Sequence, residues 1–114
     1  MAAKRTADLI PLCHPLPLDA VAVRVRLPAL LPDGDGRVPV RIDCEVRVTA
    51  RTGAEMEALT GCAVAALTLY DMVKAADRGL ELRALRLLAK RGGRSGAWAA
   101  GADRGDPDHL YELP

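Results

Sequence analysis

Two stretches of the chain alternate apolar and polar residues with a period of two. In residues 18–27 valine recurs at every second position, between alanine and arginine, and in residues 38–48 apolar residues alternate with charged ones. A period of two predicts strands with one buried and one exposed face. Turn-forming residues at 32–36 separate the two stretches, so we predict an antiparallel hairpin whose outer face carries a solvated ladder of opposite charges.

A helical pattern follows the hairpin. Thr52 and Glu55 have the spacing of a capping box at a helix start. Beyond them apolar residues recur every three or four positions as far as Val73, and Gly79 is a plausible stop. Cys62 lies on the apolar face of this helix, which favours a core role over a ligand role.

The remaining elements complete an α-β-β-α-β order. Residues 2–10 have a helical pattern that Pro11 ends, and residues 80–88 are typical of a third strand. This order predicts an α+β fold in which helices pack on one face of an antiparallel sheet. It equals a split β-α-β-β-α-β unit without its first strand, so we expect either an oligomer or further residues upstream.

Composition narrows the class of protein. The chain has 114 residues, of which 50% are hydrophobic and 27% charged, as in one globular domain. The net charge of +1 and an aromatic content of 3% argue against a nucleic-acid partner and against a platform for stacking bases. No apolar run approaches the roughly 18 residues of a membrane span, and no signal peptide is visible. We therefore expect a soluble protein with no membrane partner.

The cysteines and the C-terminal residues add two expectations. Cys13, Cys44 and Cys62 are odd in number and widely spaced, which suits neither a disulfide framework nor a zinc site and fits the reducing cytoplasm. Residues 98–114 are rich in Gly, Asp and Pro. We predict a single domain at 1–97 and a flexible tail at 98–114.

His14 is the first candidate for chemistry. It follows Leu12 and Cys13 between Pro11 and Pro15, which stiffen the connection and fix the direction of the imidazole. Such rigidity suits an acid, a base or a hydrogen-bonding group, although a histidine in this pattern is more often a loop residue without a role. Cys13 and His14 have no further ligand pair nearby, so no metal site is expected.

The long helix carries the second candidate group. Asp71 and Lys74 lie three residues apart on one helical face, so the carboxylate could hold the ammonium for proton transfer, or the two could form an ordinary surface ion pair. Glu57, in the first turn, lies about 21 Å from Asp71 along the axis. Both could share a site only if the helix pairs antiparallel with a second copy, an approach that Ala63 and Ala66 permit.

The third candidate is the basic stretch at residues 86–96. Lys90, Arg91 and Arg94 supply positive charge among glycines that can turn backbone N–H groups toward an anion. The stretch is not a Walker motif. A phosphate cradle and a flexible basic loop both fit it, and Lys4 could add to the same positive field.

Three stretches together carry a resemblance to a known family. They are AAKRTADLIPLCHPLPL, GAEMEALTGCAVAALTLYDMVKA and RLLAKRGGRSG, and they span residues 2–96. In combination they resemble the molybdenum cofactor biosynthesis protein C (MoaC) family, the cyclic pyranopterin monophosphate synthases. The resemblance implies a lyase that acts after a radical S-adenosylmethionine enzyme. Its substrate would be 3′,8-cyclo-7,8-dihydroguanosine triphosphate and its products cyclic pyranopterin monophosphate and pyrophosphate, with no cofactor or metal.

The resemblance also implies roles for residues of this sequence. Asp71 and Lys74 match the catalytic aspartate and lysine of the family. The residues that match its substrate contacts and site-lining lysines are Leu12, Cys13, His14, Glu55, Met56, Glu57, Lys4 and Lys90. Arg91 and Arg94 join them by our inference from charge.

For the whole molecule, the resemblance implies a ferredoxin-like fold assembled as a hexamer, a trimer of dimers with sites at the dimer interface. Family members carry about fifty more residues before AAKRT, including the first strand, the start of the first helix and a further lysine. We therefore expect either that a front segment is missing here or that this chain is an impaired version of the family. The alternative to an enzyme is a noncatalytic assembly or regulatory domain of the same fold. The presence of Asp71, Lys74 and His14 favours the enzyme.

Overall fold

The fold combines helices with antiparallel strands. A computed structural model of the chain describes residues 1–28, 36–94 and 96–100. A 3₁₀ turn at Ala2–Arg5 leads into helix α1 at Thr6–Leu9; strands β1 (Leu18–Arg26) and β2 (Arg41–Val48), helix α2 (Glu55–Val73), and short strands β3 (Ala89–Lys90) and β4 (Trp98–Ala99) follow. The predicted α+β class is confirmed, as is the helical start of the chain. The ferredoxin-like arrangement stays a prediction.

Strands β1 and β2 form the predicted antiparallel hairpin. Val21, Val23 and Val25 of β1 lie opposite apolar residues of β2, so one face of the hairpin is apolar. β2 begins three residues later than the alternation suggested, because Pro39 has no N–H to donate to a ladder. Apart from Gly36, the predicted turn at 32–36 lies outside the described residues.

The outer face of the hairpin carries the predicted charge ladder. Arg26 Nε lies 3.2 Å from Asp43 Oδ2, and Arg24 Nη1 lies 3.6 Å from Glu45 Oε2 across the strands. Arg24 and Glu45 are both about half exposed. Exposed pairs of this kind add little to stability, which agrees with a solvated face.

Helix α2 packs closely on the apolar face of the hairpin at Gly61, which has no side chain to hold the two elements apart. A Cβ placed on Gly61 would lie 2.7 Å from Cys44 Sγ and 3.3 Å from Ala3 Cβ. The Cys62 thiol donates to the Ile42 carbonyl at 3.2 Å. Burial raises the pKa of both the Cys44 and the Cys62 thiol, so Cys62 is a packing residue, as predicted.

Both predicted ends of the long helix are wrong. The N-cap is Ala54, and no side chain caps the helix, because the Glu55 carboxylate binds Lys90 instead of closing a capping box with Thr52. At the other end the helix stops at Val73, well before Gly79. The Val73 carbonyl there accepts the N–H groups of residues 76 and 77, which turns the chain out of the helix.

The predicted strand at residues 80–88 is also wrong. None of its residues belongs to a strand, and β3 (Ala89–Lys90) begins just beyond its end. A strand is stabilised by a neighbouring strand, and no strand of the described residues pairs with this segment; a bond from the Ala100 N–H reaches only the carbonyl of Leu88, its last residue. Its leucines at 82 and 85 are more than half exposed, while Glu81 at its start bonds Arg37 at 3.2 Å.

Apolar burial in the described chain is small. Ala3 carries its single buried apolar side chain, while Val23 and Val25 are 46% and 55% exposed. These two valines are on the apolar face of the hairpin, but α2 lies chiefly over β2. The length and composition of α2 would also allow it to cross a membrane. This is weak evidence, because core helices pass the same test, and the absence of a membrane partner stays a prediction.

Candidate active site

Polar side chains gather at both ends of helix α2. At its start, Lys90 Nζ donates to Glu55 Oε1 at 2.9 Å, and the two side chains are 23% and 31% exposed. The hydrogen bond from Lys90 is the main reason why the pKa of the Glu55 carboxyl is lowered. Glu55 is therefore a carboxylate at neutral pH, and Lys90 is held against the helix.

The basic loop lies over this end of the helix. A Cβ on Gly93 would come 3.7 Å from the Gly53 nitrogen, so the space between the backbones of the two glycines is about the size of one methyl group. Gly92 and Gly93 have φ angles of +76° and +75°, a left-handed conformation that glycine adopts without strain. The loop between β3 and β4 is thus shaped by its glycines and brings Arg91 and Arg94 along with Lys90.

Glu57 and Cys13 form a second contact at the same end. Glu57 is only 4% exposed, and the Cys13 thiol lies 3.9 Å from its Oε1. Desolvation, followed by the negative charge of Glu57, raises the pKa of the Cys13 thiol. The side chain therefore remains a neutral thiol that can donate, and it ties residues 12–14 to the first turn of α2.

The residue before Cys13 has an unusual conformation. Leu12 has a φ of +61° and is 99% exposed. A left-handed leucine costs on the order of 1 kcal/mol or more, and its exposed side chain gains nothing from packing. The neighbouring His14 is exposed as well, so both side chains are available to a ligand or to another chain.

Asp71 and Lys74 lie at the other end of α2. Lys74 Nζ donates to Asp71 Oδ1 at 2.6 Å, and the side chains are 54% and 72% exposed. Along the axis this pair lies about 21 Å from Glu57. One chain therefore presents two candidate half-sites: the first holds the separate Glu55–Lys90 and Cys13–Glu57 contacts at the start of α2, and the second holds the Asp71–Lys74 pair at its end.

The other predicted site residues are exposed. Met56 is 39% exposed on the first turn of α2, and Lys4 is exposed on the 3₁₀ turn. Sequence reasoning missed two features of the first half-site: the close approach of Gly53, and Trp98, which lies opposite Lys90 in the ladder of β3 and β4. The sequence places Trp98 in the predicted tail, because two-residue strands leave no periodic signal.

The folded chain extends past residue 97. The Ala100 N–H donates to the Leu88 carbonyl at 2.8 Å, and Trp98 and Ala99 pair with β3. Residues 101–114 of the predicted tail lie outside the described residues, so the tail itself stays a prediction. Within the described ranges, no group of three or more His, Cys, Asp or Glu side chains is arranged to hold a metal ion.

The model of the MoaC family matches residues 1–93. This chain belongs to the MoaC family. Similar MoaC relatives include the cyclic pyranopterin monophosphate synthases of Methylobacterium sp. (strain 4-46), 60% identical over 100 residues, and of Thermomicrobium roseum, 55% identical over 98 residues. The synthase of Rhodospirillum rubrum is 57% identical over 101 residues.

The matches cover most of this MoaC chain and a smaller share of its relatives. They span 88% of this chain and 59% of the Methylobacterium protein, and 86% of this chain and 55% of the Thermomicrobium protein. The chain thus spans somewhat more than half the length of these curated MoaC relatives.

Proposed function

We propose that this chain is a cyclic pyranopterin monophosphate synthase of molybdenum cofactor biosynthesis. The reaction converts 3′,8-cyclo-7,8-dihydroguanosine 5′-triphosphate to cyclic pyranopterin monophosphate and releases pyrophosphate. The proposal rests on the relative named for this activity that is 60% identical over 100 residues. The exposed Asp71–Lys74 pair supplies the proton-transfer groups that the reaction needs.

Asp71 and Lys74 are the proposed catalytic residues. Opening the purine ring and closing the pterin ring both move protons, and a side chain of each charge is needed to accept and donate them. The 2.6 Å contact places the carboxylate oxygen directly on the ammonium. Because both side chains are more than half exposed, substrate atoms can approach either of them.

The first half-site is the proposed site of the triphosphate. Lys90, Arg91 and Arg94 provide positive charge, Lys4 adds to it, and the glycine turns expose backbone N–H groups to an anion. Neutralising the phosphate oxygens favours attack of a sugar hydroxyl of the substrate on the innermost phosphorus. The new P–O bond replaces the bond to pyrophosphate, which departs, and the proton of the hydroxyl passes to a basic group of the site. Leu12, Cys13, His14, Glu55, Met56 and Glu57 complete the proposed substrate contacts.

A complete site requires two copies of the chain in this proposal. The half-sites lie about 21 Å apart along α2, and an antiparallel pair of α2 helices would bring the end of one helix beside the start of the other. Ala63 and Ala66 allow such helices to approach closely. The dimers would assemble into a hexamer in the cytoplasm and act on the product of a radical S-adenosylmethionine enzyme.

Incubation of the purified protein with the cyclised dihydroguanosine triphosphate tests the activity. We expect pyrophosphate and a pterin product from the parent. A parent that is folded, oligomeric and binds the substrate, yet releases neither product, would contradict the proposal. It would identify the chain as a noncatalytic assembly or regulatory domain of the MoaC family.

A further inference from the structure

Trp98 lies beside the proposed triphosphate site and has no role in the function described above. It is the single tryptophan of the chain and is 47% exposed. Strand β4 pairs antiparallel with β3, so that Trp98 lies directly opposite Lys90 and Ala99 lies opposite Ala89. The bond from the Ala100 N–H to the Leu88 carbonyl extends this ladder by one step.

The ladder fixes the face on which the indole stands. Residues directly opposite each other in an antiparallel pair project to the same face, with Cβ atoms about 4.5–5.5 Å apart. Lys90 extends from that face to the Glu55 carboxylate, at 2.9 Å. The Trp98 side chain therefore stands next to the lysine that holds the basic loop on the start of α2.

An indole in this position is suited to a ligand with both a phosphate chain and a planar ring. About half of its surface is open to solvent, and its flat face can stack on a heterocycle with little dependence on the identity of that ring. Lys90, Arg91 and Arg94 lie in the same short segment and attract the phosphates. Charge and a stacking surface thus occur side by side.

We propose that Trp98 stacks on the planar ring system of the substrate and so strengthens its binding at the basic loop. The inference rests on the proposed function, because it takes the triphosphate to bind at the basic loop. Trp98 is a positioning residue, which holds the ring while Asp71 and Lys74 move protons. Its loss should therefore weaken binding and leave the chemical step nearly unchanged.

Fluorescence tests the contact directly, because all tryptophan emission comes from Trp98. GTP serves as the probe, since it combines a triphosphate with a purine ring, and inorganic tripolyphosphate is the matched control without a ring. We expect GTP to quench the emission, and tripolyphosphate to compete with GTP while changing the emission little. Calorimetric binding of GTP with unchanged emission would overturn the inference, and so would equal quenching by both probes.

Kinetics separate positioning from a structural role. For Trp98→Ala we expect KM to rise about tenfold, at the lower end of the effect of a lost stacking contact, with kcat within twofold of the parent. Trp98→Phe should recover most of the loss. Leu82→Ala, which removes another exposed apolar side chain (55% exposed), should leave both constants unchanged.

The outcomes distinguish this inference from the proposed function. A Trp98→Ala protein with unchanged KM, or with a lower kcat at unchanged KM, would overturn the role of Trp98 while the synthase activity stands. Where Trp98→Ala fails to fold, the quenching of the parent protein decides the question. A parent that binds GTP with quenching but forms no pterin would contradict the synthase activity alone.

Discussion

Among the acidic side chains near the end of α2, Asp71 is distinguished by its lysine partner. For Asp71→Asn we expect turnover to fall at least a hundredfold, because the amide cannot accept a proton and general acid–base groups contribute on that order. Asp77 is exposed, and its carboxylate accepts the Gly79 N–H, so Asp77→Asn is a matched control that should keep full turnover. Pyrophosphate release measures both. Equal rates in the two variants would remove Asp71 from the mechanism.

The Glu55–Lys90 contact should make stability depend on pH in the acidic range. Because the pKa of Glu55 is lowered in the folded chain, its contribution is present above the ordinary glutamate pKa and is lost as pH falls through the folded value. At neutral pH we expect Lys90→Met to lower the free energy of unfolding by roughly 0.5–1 kcal/mol. This difference should vanish in acid.

Urea denaturation of the two proteins across the acidic range measures that difference. Arg51→Met, which removes an exposed arginine that forms no ion pair within the described residues, is the control and should change little at any pH. A Lys90→Met deficit that stays constant down to the lowest pH would show that the effect does not come from Glu55.

At the scale of single residues, sequence spacing predicted local partners and missed distant ones. Asp71 and Lys74 are three residues apart on one helix, so their contact follows from helical geometry. Glu55 and Lys90 are 35 residues apart, and Cys13 and Glu57 are 44 apart. Only the packed structure brings these pairs together. In that packing Glu55 binds Lys90 and does not form the predicted capping box.

At the scale of elements, the crossing of α2 over β2 depends on Gly61. Gly61→Ala should lower the free energy of unfolding by about 1–2 kcal/mol, because the new methyl would overlap Cys44 Sγ. Overpacking of this kind costs more than the helical preference of alanine over glycine returns. Cys44→Ala should rescue much of the loss in a double-variant cycle measured by thermal unfolding.

The control for the helix crossing is Gly79→Ala, outside the helix. Its new Cβ would lie 3.2 Å from Asp77 Oδ1, on an exposed side chain that can move, so little change is expected. A Gly61→Ala protein as stable as the parent would mean that β2 can move away from α2 without cost.

Elements whose periodic pattern extends over many residues were predictable from the sequence, and short or unpaired elements were not. The hairpin and α2 follow from repeated apolar positions, whose burial on one face is a local property. Residues 80–88 have strand-type composition, but a strand also needs a neighbour, which no local pattern supplies. β3 and β4 have the neighbour but only two residues each, too few for any period.

For the whole molecule, a site built from two copies predicts complementation between inactive variants. Asp71→Asn and Glu57→Gln alter opposite ends of α2, so each variant alone should be nearly inactive. Unfolding and refolding an equal mixture should restore about a quarter of parental turnover, because half of the dimers are mixed and each mixed dimer holds one intact site of two. A mixture no more active than its components would place both residues in one site within a single copy.

The scarcity of buried apolar side chains also affects how the chain denatures. Within the described ranges, Ala3 carries the single buried apolar side chain. Association between copies can therefore cover apolar surface that one chain leaves exposed. Association stabilises the folded state by mass action. The melting temperature should therefore rise with protein concentration, and dilution alone should act as a denaturant.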